Sequence, residues 1–420
     1  MTNTMSSATS AAGERYARAA SRSAAAERLG LVLLWIVGFS GGFVLIEPAP
    51  YEFLTFAAFL FFAAGGLTIG AAHLPLFFLL IVYCISLAIG VMPVLSEDKT
   101  LLWTVVSCFM ASTALFYALV LGDNTQRRLD SLLAGYVASA MVISAIAILA
   151  YFGLLPSAET FLHLGRAKAT FKDPNVFGPF LVLPGLLLVQ RAMFGGARDL
   201  IFAGAKVLVI AGALLLSFSR GAWAHFAAST VVMLILCFIA ARSTLLRLRI
   251  ILLAVAGAIA IAFFLIALLS LPQVAELFEE RASLVQGYDA GQLGRFGRHL
   301  LGALMIFDYP LGIGPMQFSK YLPEDPHNSF LDAFMTGGWL GGVTWLALML
   351  ITLLFGLRHA FRATQWQMTY IAVFATYVGE FGESYIIDVQ HWRHYFLILG
   401  LLWGLMAVQS RAAGPAGARA

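Results

Sequence analysis

Apolar runs of about twenty residues recur along this chain, and that spacing constrains its fold more than any other feature. They fall at 29–47, 50–65, 72–92, 99–121, 129–153, 175–192, 199–217, 221–241, 248–270, 327–356, 366–386 and 391–409. A helix needs about 20 apolar residues to cross a bilayer, whereas barrel strands would alternate over segments of about 10. Only 11% of the 420 residues are charged and 60% are hydrophobic, against about 25% charged in a soluble domain. The expected fold is therefore all-α, a polytopic membrane protein of about twelve transmembrane helices. The second run is short, and Glu380, Glu383 and Asp388 interrupt the last two. Cys84, Cys108 and Cys237 lie inside apolar runs without ligand spacing and read as packing residues.

Basic residues set the orientation. With a cytoplasmic N-terminus, the inner connections hold Arg127, Arg128, Arg191, Arg198, Arg242, Arg247, Arg249, Arg358 and Arg362, which is the positive-inside pattern with both termini cytoplasmic. The net charge of +4 is then a topology signal and gives no reason to expect nucleic acid. Residues 1–28 read as a disordered cytoplasmic tail, 29–270 as helices one to nine and 271–326 as a long periplasmic loop. Residues 327–409 carry the last three helices, and 410–420 form a second cytoplasmic tail. Within the long loop, Gly294 to Phe307 reads as a short amphipathic helix lying on the outer surface.

Cations on the outer side are the anomaly. Arg166, Lys168 and Lys172 precede Asp173-Pro174-Asn175; Arg220 follows Ser219 between two apolar runs with no adjacent acid; Arg295 and Arg298 lie on the surface helix. Charge topology selects against arginine there, so an anionic ligand on that side would account for them. A solvated loop and a basic face toward lipid phosphates are the plainer readings of the first and third groups. Asp173-Pro174 and Asp325-Pro326 each read as an N-cap acid followed by proline at the first helical position. Both helix starts would then offer free N–H groups to a phosphate. His327, in the first turn of its helix beside Asn328, should stay neutral and could act as a general base, or could simply hydrogen-bond at the interface. Gly312-Ile313-Gly314 reads as a turn, and Gly337, Gly338, Gly341 and Gly342 read as close helix packing. No ligand spacing suggests a metal, and no carboxylate pair suggests acid–base work.

Taken together, Thr170-Phe171-Lys172-Asp173-Pro174-Asn175, Ser219-Arg220-Gly221-Ala222-Trp223, Gly312-Ile313-Gly314, His327-Asn328-Ser329-Phe330-Leu331 and Gly337-Gly338-Trp339-Leu340-Gly341 resemble the O-antigen ligase family. That family shares a membrane domain with O-antigen and exopolysaccharide polymerases. The resemblance implies a metal-independent, cofactor-free, inverting glycosyltransferase on the periplasmic side of the bacterial inner membrane. It would move a glycan from undecaprenyl diphosphate to a hydroxyl of lipid A-core or of another lipid-linked glycan. The family's functional histidine matches His327, and its arginines match Arg220, then Arg166, with Arg295 or Arg298 matched by loop position. Lys168, Asn175 and Asn328 complete the expected substrate contacts. The loop is short for the family, which argues against protein as acceptor. A transporter of lipid-linked oligosaccharides is the other reading, but it would place charges deep within several spans.

Overall fold

A computed structural model describes residues 24–282, 291 and 293–412. It is all-helical apart from one two-stranded hairpin. The helices are α1 (24–40), α2 (Pro50–Ala64), α3 (Leu74–Val91), α4 (Thr100–Val120) and α5 (Thr125–Tyr151). Next come β1 (Leu162–His163), β2 (Arg166–Ala167), α6 (Pro174–Phe180), α7 (Val182–Phe194), α8 (Ala197–Leu216), α9 (Arg220–Ala240) and α10 (Thr244–Leu269). The chain continues with α11 (Pro272–Ala282), α12 (Arg295–Asp308), α13 (Ser329–Ala360), α14 (Gln367–Glu383) and α15 (Arg393–Ala412). Among the described residues, 8 helical stretches are long and apolar enough to cross a membrane. The chain is a multi-pass membrane protein. Residues 24–28, expected in the tail, already belong to α1; the rest of that tail and 413–420 lie outside the described residues.

The bundle is held by α13 on α3, α15 on α4, α14 on α9 and α8 against α5 and α7. Small residues allow these approaches. A Cβ on Gly337 would meet Ser86 Oγ at 2.7 Å, and one on Gly379 would strike the His225 ring and Ser229. At the periphery, α10 leaves Leu252, Val255, Ile259, Phe263 and Ile266 exposed. In water those side chains would cost about 1.5–3 kcal/mol each relative to burial, so lipid is their solvent.

Two of the expected runs are not continuous straight helices. The run at 175–192 breaks at Leu181 into α6 and α7, consistent with Pro179 and Pro184 on either side. α13 kinks at Gly338, whose φ of 64° and ψ of −160° suit glycine. The 310–314 turn packs into that kink: Ile313 N–H donates to the Met335 carbonyl (2.6 Å), and Trp339 N–H donates to Pro310 (2.9 Å). Gly338 thus serves a loop contact, while Gly337 and Gly341 keep the helix packing expected of them.

The connections fall on two faces. On one, Val44 N–H donates to the Thr170 carbonyl (3.1 Å) and Lys172 pairs with Glu47 (2.6 Å). Arg393 pairs with Glu52 (2.6 Å) and Lys320 with Glu97 (2.7 Å) on the same face. On the other, Arg128 pairs with Glu27 (2.7 Å) and Arg362 donates to Ser410 (3.2 Å). The arginine-rich connections lie together on this second face.

The interval 271–326 holds more structure than one surface helix. α11 precedes α12 in it, and residues 283–290 and 292 lie outside the described set. α12 forms where expected but is turned over. Phe296, Leu300, Leu304 and Phe307 face outward, while Arg298 and Gly302 are buried against the body.

Candidate functional site

The first half of the site is built on the β1–β2 hairpin. Its tight turn uses Leu164 and Gly165 at positive φ (51° and 74°), which reverses the chain and brings Arg166 opposite His163. The Arg166 guanidinium donates from Nε to the Ser217 carbonyl (2.9 Å) and from Nη2 to Asn175 Oδ1 (2.8 Å). One side chain therefore ties the hairpin to the start of α6 and to the turn that leads into Arg220. Arg166 and Asn175 are joined directly, and the Ser217 carbonyl that Arg166 reaches lies three residues before Arg220. Lys168 is half-buried and gives its backbone N–H to the Phe161 carbonyl (3.0 Å), and Lys172 is committed to Glu47.

Asp173 does cap α6, accepting from Asn175 N–H (2.7 Å) with Pro174 in the first turn. The anion site expected at this helix start does not follow. Val176 and Phe177 N–H groups bond to the Asp173 carbonyl, both at 3.1 Å. With Asn175 N–H taken by the cap, the first turn presents no spare donors.

The second half centres on His327, and here two expectations change. The cap of α13 is Asn328, not Asp325: Asn328 Oδ1 accepts from the N–H groups of Phe330 and Leu331, both at 3.0 Å. Asp325-Pro326 lies in the preceding loop, so His327 precedes the helix instead of sitting in its first turn. Its backbone is left-handed (φ 46°), a conformation that costs a non-glycine residue about 1–3 kcal/mol and is held by its surroundings. Asn328 N–H donates to Asp388 Oδ1 (2.9 Å), Asn328 Nδ2 to the Tyr385 carbonyl (3.1 Å), and His299 Nε2 to the Pro326 carbonyl (2.6 Å). Asn328 is thereby fully engaged in structure, and the same is true of Ser329 N–H, which bonds to the Ser384 carbonyl (2.9 Å).

The second change concerns charge. His327 Nδ1 lies 3.7 Å from Asp388 Oδ2, and that carboxylate raises the imidazole above its ordinary range, although partial burial and Arg295 oppose it. The helix dipole expected to keep the ring neutral acts on a residue that is not in the helix. His299 moves the other way: burial lowers it, so it is neutral at pH 7. With the Asp388 carboxylate on the Nδ1 side at 3.7 Å, its charge favours the tautomer protonated there, in which Nε2 is the basic nitrogen.

The two halves share a wall. The stretch from Glu383 to Gln390 joins α14 to α15. Its Glu383 Oε1 lies 2.9 Å and its Ile386 Cδ1 3.5 Å from where a Cβ on Gly221 would stand. Its Tyr385, Ile387, Asp388, Val389 and Gln390 hold Asn328 and Ser329, Ser329 Oγ alone bonding to Ile387 O (2.9 Å) and Val389 N–H (2.8 Å). The first turn of α9, which carries Arg220, and the loop carrying His327 thus rest on one short segment. Arg220 has no acid beside it in sequence, but tertiary structure brings Glu383 against its neighbour Gly221.

Of the two surface-helix arginines, Arg298 is buried, donating to Glu324 (2.6 Å) and to the Leu293 carbonyl (2.9 Å). That pairing corrects its expected place on an exposed basic face: Arg298 pins the loop. Arg295 is half-exposed and close enough to His327 and His299 to oppose protonation of both. Sequence reasoning missed Asp388 and Glu383, taking them only as interruptions of apolar runs. The signal was there, since ionisable groups at the edge of a membrane span default to functional roles.

Residues 205–346 match the protein family described as O-antigen ligase. The match begins within α8, ends within α13, and includes Arg220, Arg295, Arg298, His327 and Asn328. Arg166, Lys168, Asn175, Glu383 and Asp388 lie outside it. No curated protein matches the chain.

Proposed function

The chain carries an O-antigen ligase family domain over residues 205–346, and on that premise we propose that it is a glycosyltransferase of the bacterial inner membrane, an O-antigen ligase. Its donor is a glycan on undecaprenyl diphosphate, and its acceptor is a hydroxyl of lipid A-core at the periplasmic face. The observation that carries this reading is the shared wall from Glu383 to Gln390, which sets a cationic half built from Arg166 and Arg220 beside a histidine–carboxylate half built from His327 and Asp388. The start of α1 and the end of α15 lie on the arginine-rich face, which the charge rule makes cytoplasmic in this reading.

In the proposed reaction His327 Nε2 takes the proton of the acceptor hydroxyl as its oxygen attacks the anomeric carbon. The bond from that carbon to the phosphate oxygen breaks on the opposite face, which inverts the centre, and undecaprenyl diphosphate leaves with the added negative charge. Arg220 and Arg166 stabilise that charge, as preorganised guanidinium groups can do without a metal. Arg295 closes the donor side from α12. Asp388 orients His327 and stabilises its imidazolium after transfer.

The test is deletion of the gene, with a lipopolysaccharide gel and a profile of lipid-linked glycans. Ligase function predicts long chains stranded on the carrier and lipopolysaccharide lacking them. Chains arrested at one repeat would instead identify a polymerase of the same family, and unchanged profiles of both would overturn the proposal.

Asp388 gives a pH prediction. Transfer needs neutral His327, whose pKa Asp388 raises, so the wild-type rate should fall as pH drops through a value above 6.5, with the acid limb on that side. Asp388→Asn removes the charge, lowers the histidine pKa and moves the acid limb to lower pH. Its rate at pH 8 should fall on the order of 10²-fold, because orientation is lost. A pH–rate profile with an unmoved acid limb would refute the coupling.

A further inference from the structure

The geometry points to Glu383 as a positioning residue that, through a buried pair with His225, seats the first turn of α9, and with it Arg220, against the wall that holds His327. Glu383 Oε2 lies 2.7 Å from His225 Nδ1, and His225 Nε2 lies 3.0 Å from the Thr376 carbonyl. Both side chains are almost completely buried, at 0% and 2% exposure.

Hydrogen-bond accounting defines the pair. The Thr376 carbonyl can only accept, so His225 Nε2 must carry a proton. Nδ1 faces a carboxyl oxygen, and two lone pairs cannot face each other at 2.7 Å, so one proton lies between them. The pair is neutral as a whole, whichever partner holds that proton. This is why it can be buried between α9 and α14 at modest cost, where a lone carboxylate could not.

The other oxygen supplies the second observation. Glu383 Oε1 is buried and has no hydrogen-bond partner among the described residues, and it lies 2.9 Å from the position a Cβ on Gly221 would take. Only glycine lets the first turn of α9 settle this close to the carboxyl group. On its other side Glu383 leads directly into the wall: its carbonyl accepts from Ile386 (2.9 Å) and Ile387 (3.1 Å), and Ser384 receives Ser329 N–H. One residue therefore fixes the distance between the arginine half and the histidine half. The assignment rests on the glycosyltransferase reading above and adds the residue that holds its two halves in register.

The experiment measures binding of undecaprenyl diphosphate to the full-length protein in detergent, together with its melting temperature. Glu383→Ala should weaken binding about tenfold, because preorganisation of Arg220 is lost. Glu383→Gln, which can donate its amide N–H to His225 Nδ1 at the same net charge, should bind within about threefold of wild type. Gly221→Ala should weaken binding alone, and combined with Glu383→Ala should add nothing, since the group it strikes is gone. Leu348→Ala, a fully buried core change on α13, controls for lost stability and should leave binding unchanged. Wild-type affinity in Glu383→Ala, or additive losses in the double variant, would overturn the assignment of Glu383 while leaving the donor class intact. Failure of wild type itself to bind the carrier would sink the glycosyltransferase reading and this inference with it.

Discussion

His327→Ala should lower glycan transfer about 10²–10⁴-fold, the range a positioned general base contributes, while the protein inserts and accumulates as before. Insertion should be spared because the side chain is 41% exposed and pairs with Asp388 alone among the described residues. Histidine is enriched over alanine at a left-handed backbone such as this one, so a small loss of stability is the expected side effect of the substitution. His327→Gln separates polarity from basicity, since glutamine keeps a polar group there but cannot take up a proton at neutral pH. Both variants should therefore fail alike, as read on a lipopolysaccharide gel with immunoblotted membranes as the abundance control. Wild-type product in either would remove His327 from the mechanism.

Arg220→Ala should cost about 10²–10³-fold in turnover, equivalent to about 2.7–4 kcal/mol of transition-state stabilisation, which is typical of deleting one preorganised group at a developing charge. Arg220→Lys keeps the charge but loses the planar fork that grips two phosphate oxygens, so it should recover only part of the rate. α9 should form in both variants, since its cap is Ser219, which accepts from Ala222 N–H, and Trp223 Nε1 donates to the Leu214 carbonyl (2.9 Å). Single-turnover transfer from an undecaprenyl-diphosphate-linked glycan makes the measurement. A rate unchanged in Arg220→Ala would move the charge-stabilising role to Arg166 or Arg295.

Much of the site was legible one stretch at a time. Arg166, Asn175 and Arg220 were each marked by a cation or cap that topology did not require, and the structure joins the first two directly. His327 stood out for the same reason. The helix starts were misread at Asp325 because a capping pattern shows which residues can cap, not which one does. The Asn328 side chain reaches two N–H groups there and wins. Arg298 was misplaced because the amphipathic helix that carries it rests on the protein with its polar side inward. In a membrane the apolar stripe can face lipid instead of the core, so amphipathicity alone does not set which side is covered.

The sequence by itself determined that the chain lives in a bilayer, which segments turn helical, and where cations depart from the charge rule. Those properties depend on local transfer energies and on period. Only the tertiary structure decided that Glu383 and Asp388, which in sequence merely blemish two apolar runs, stand against Gly221 and His327. Their partners lie 158 and 60 residues away or more, and contacts at such separations come from how helices pack. No local pattern encodes them.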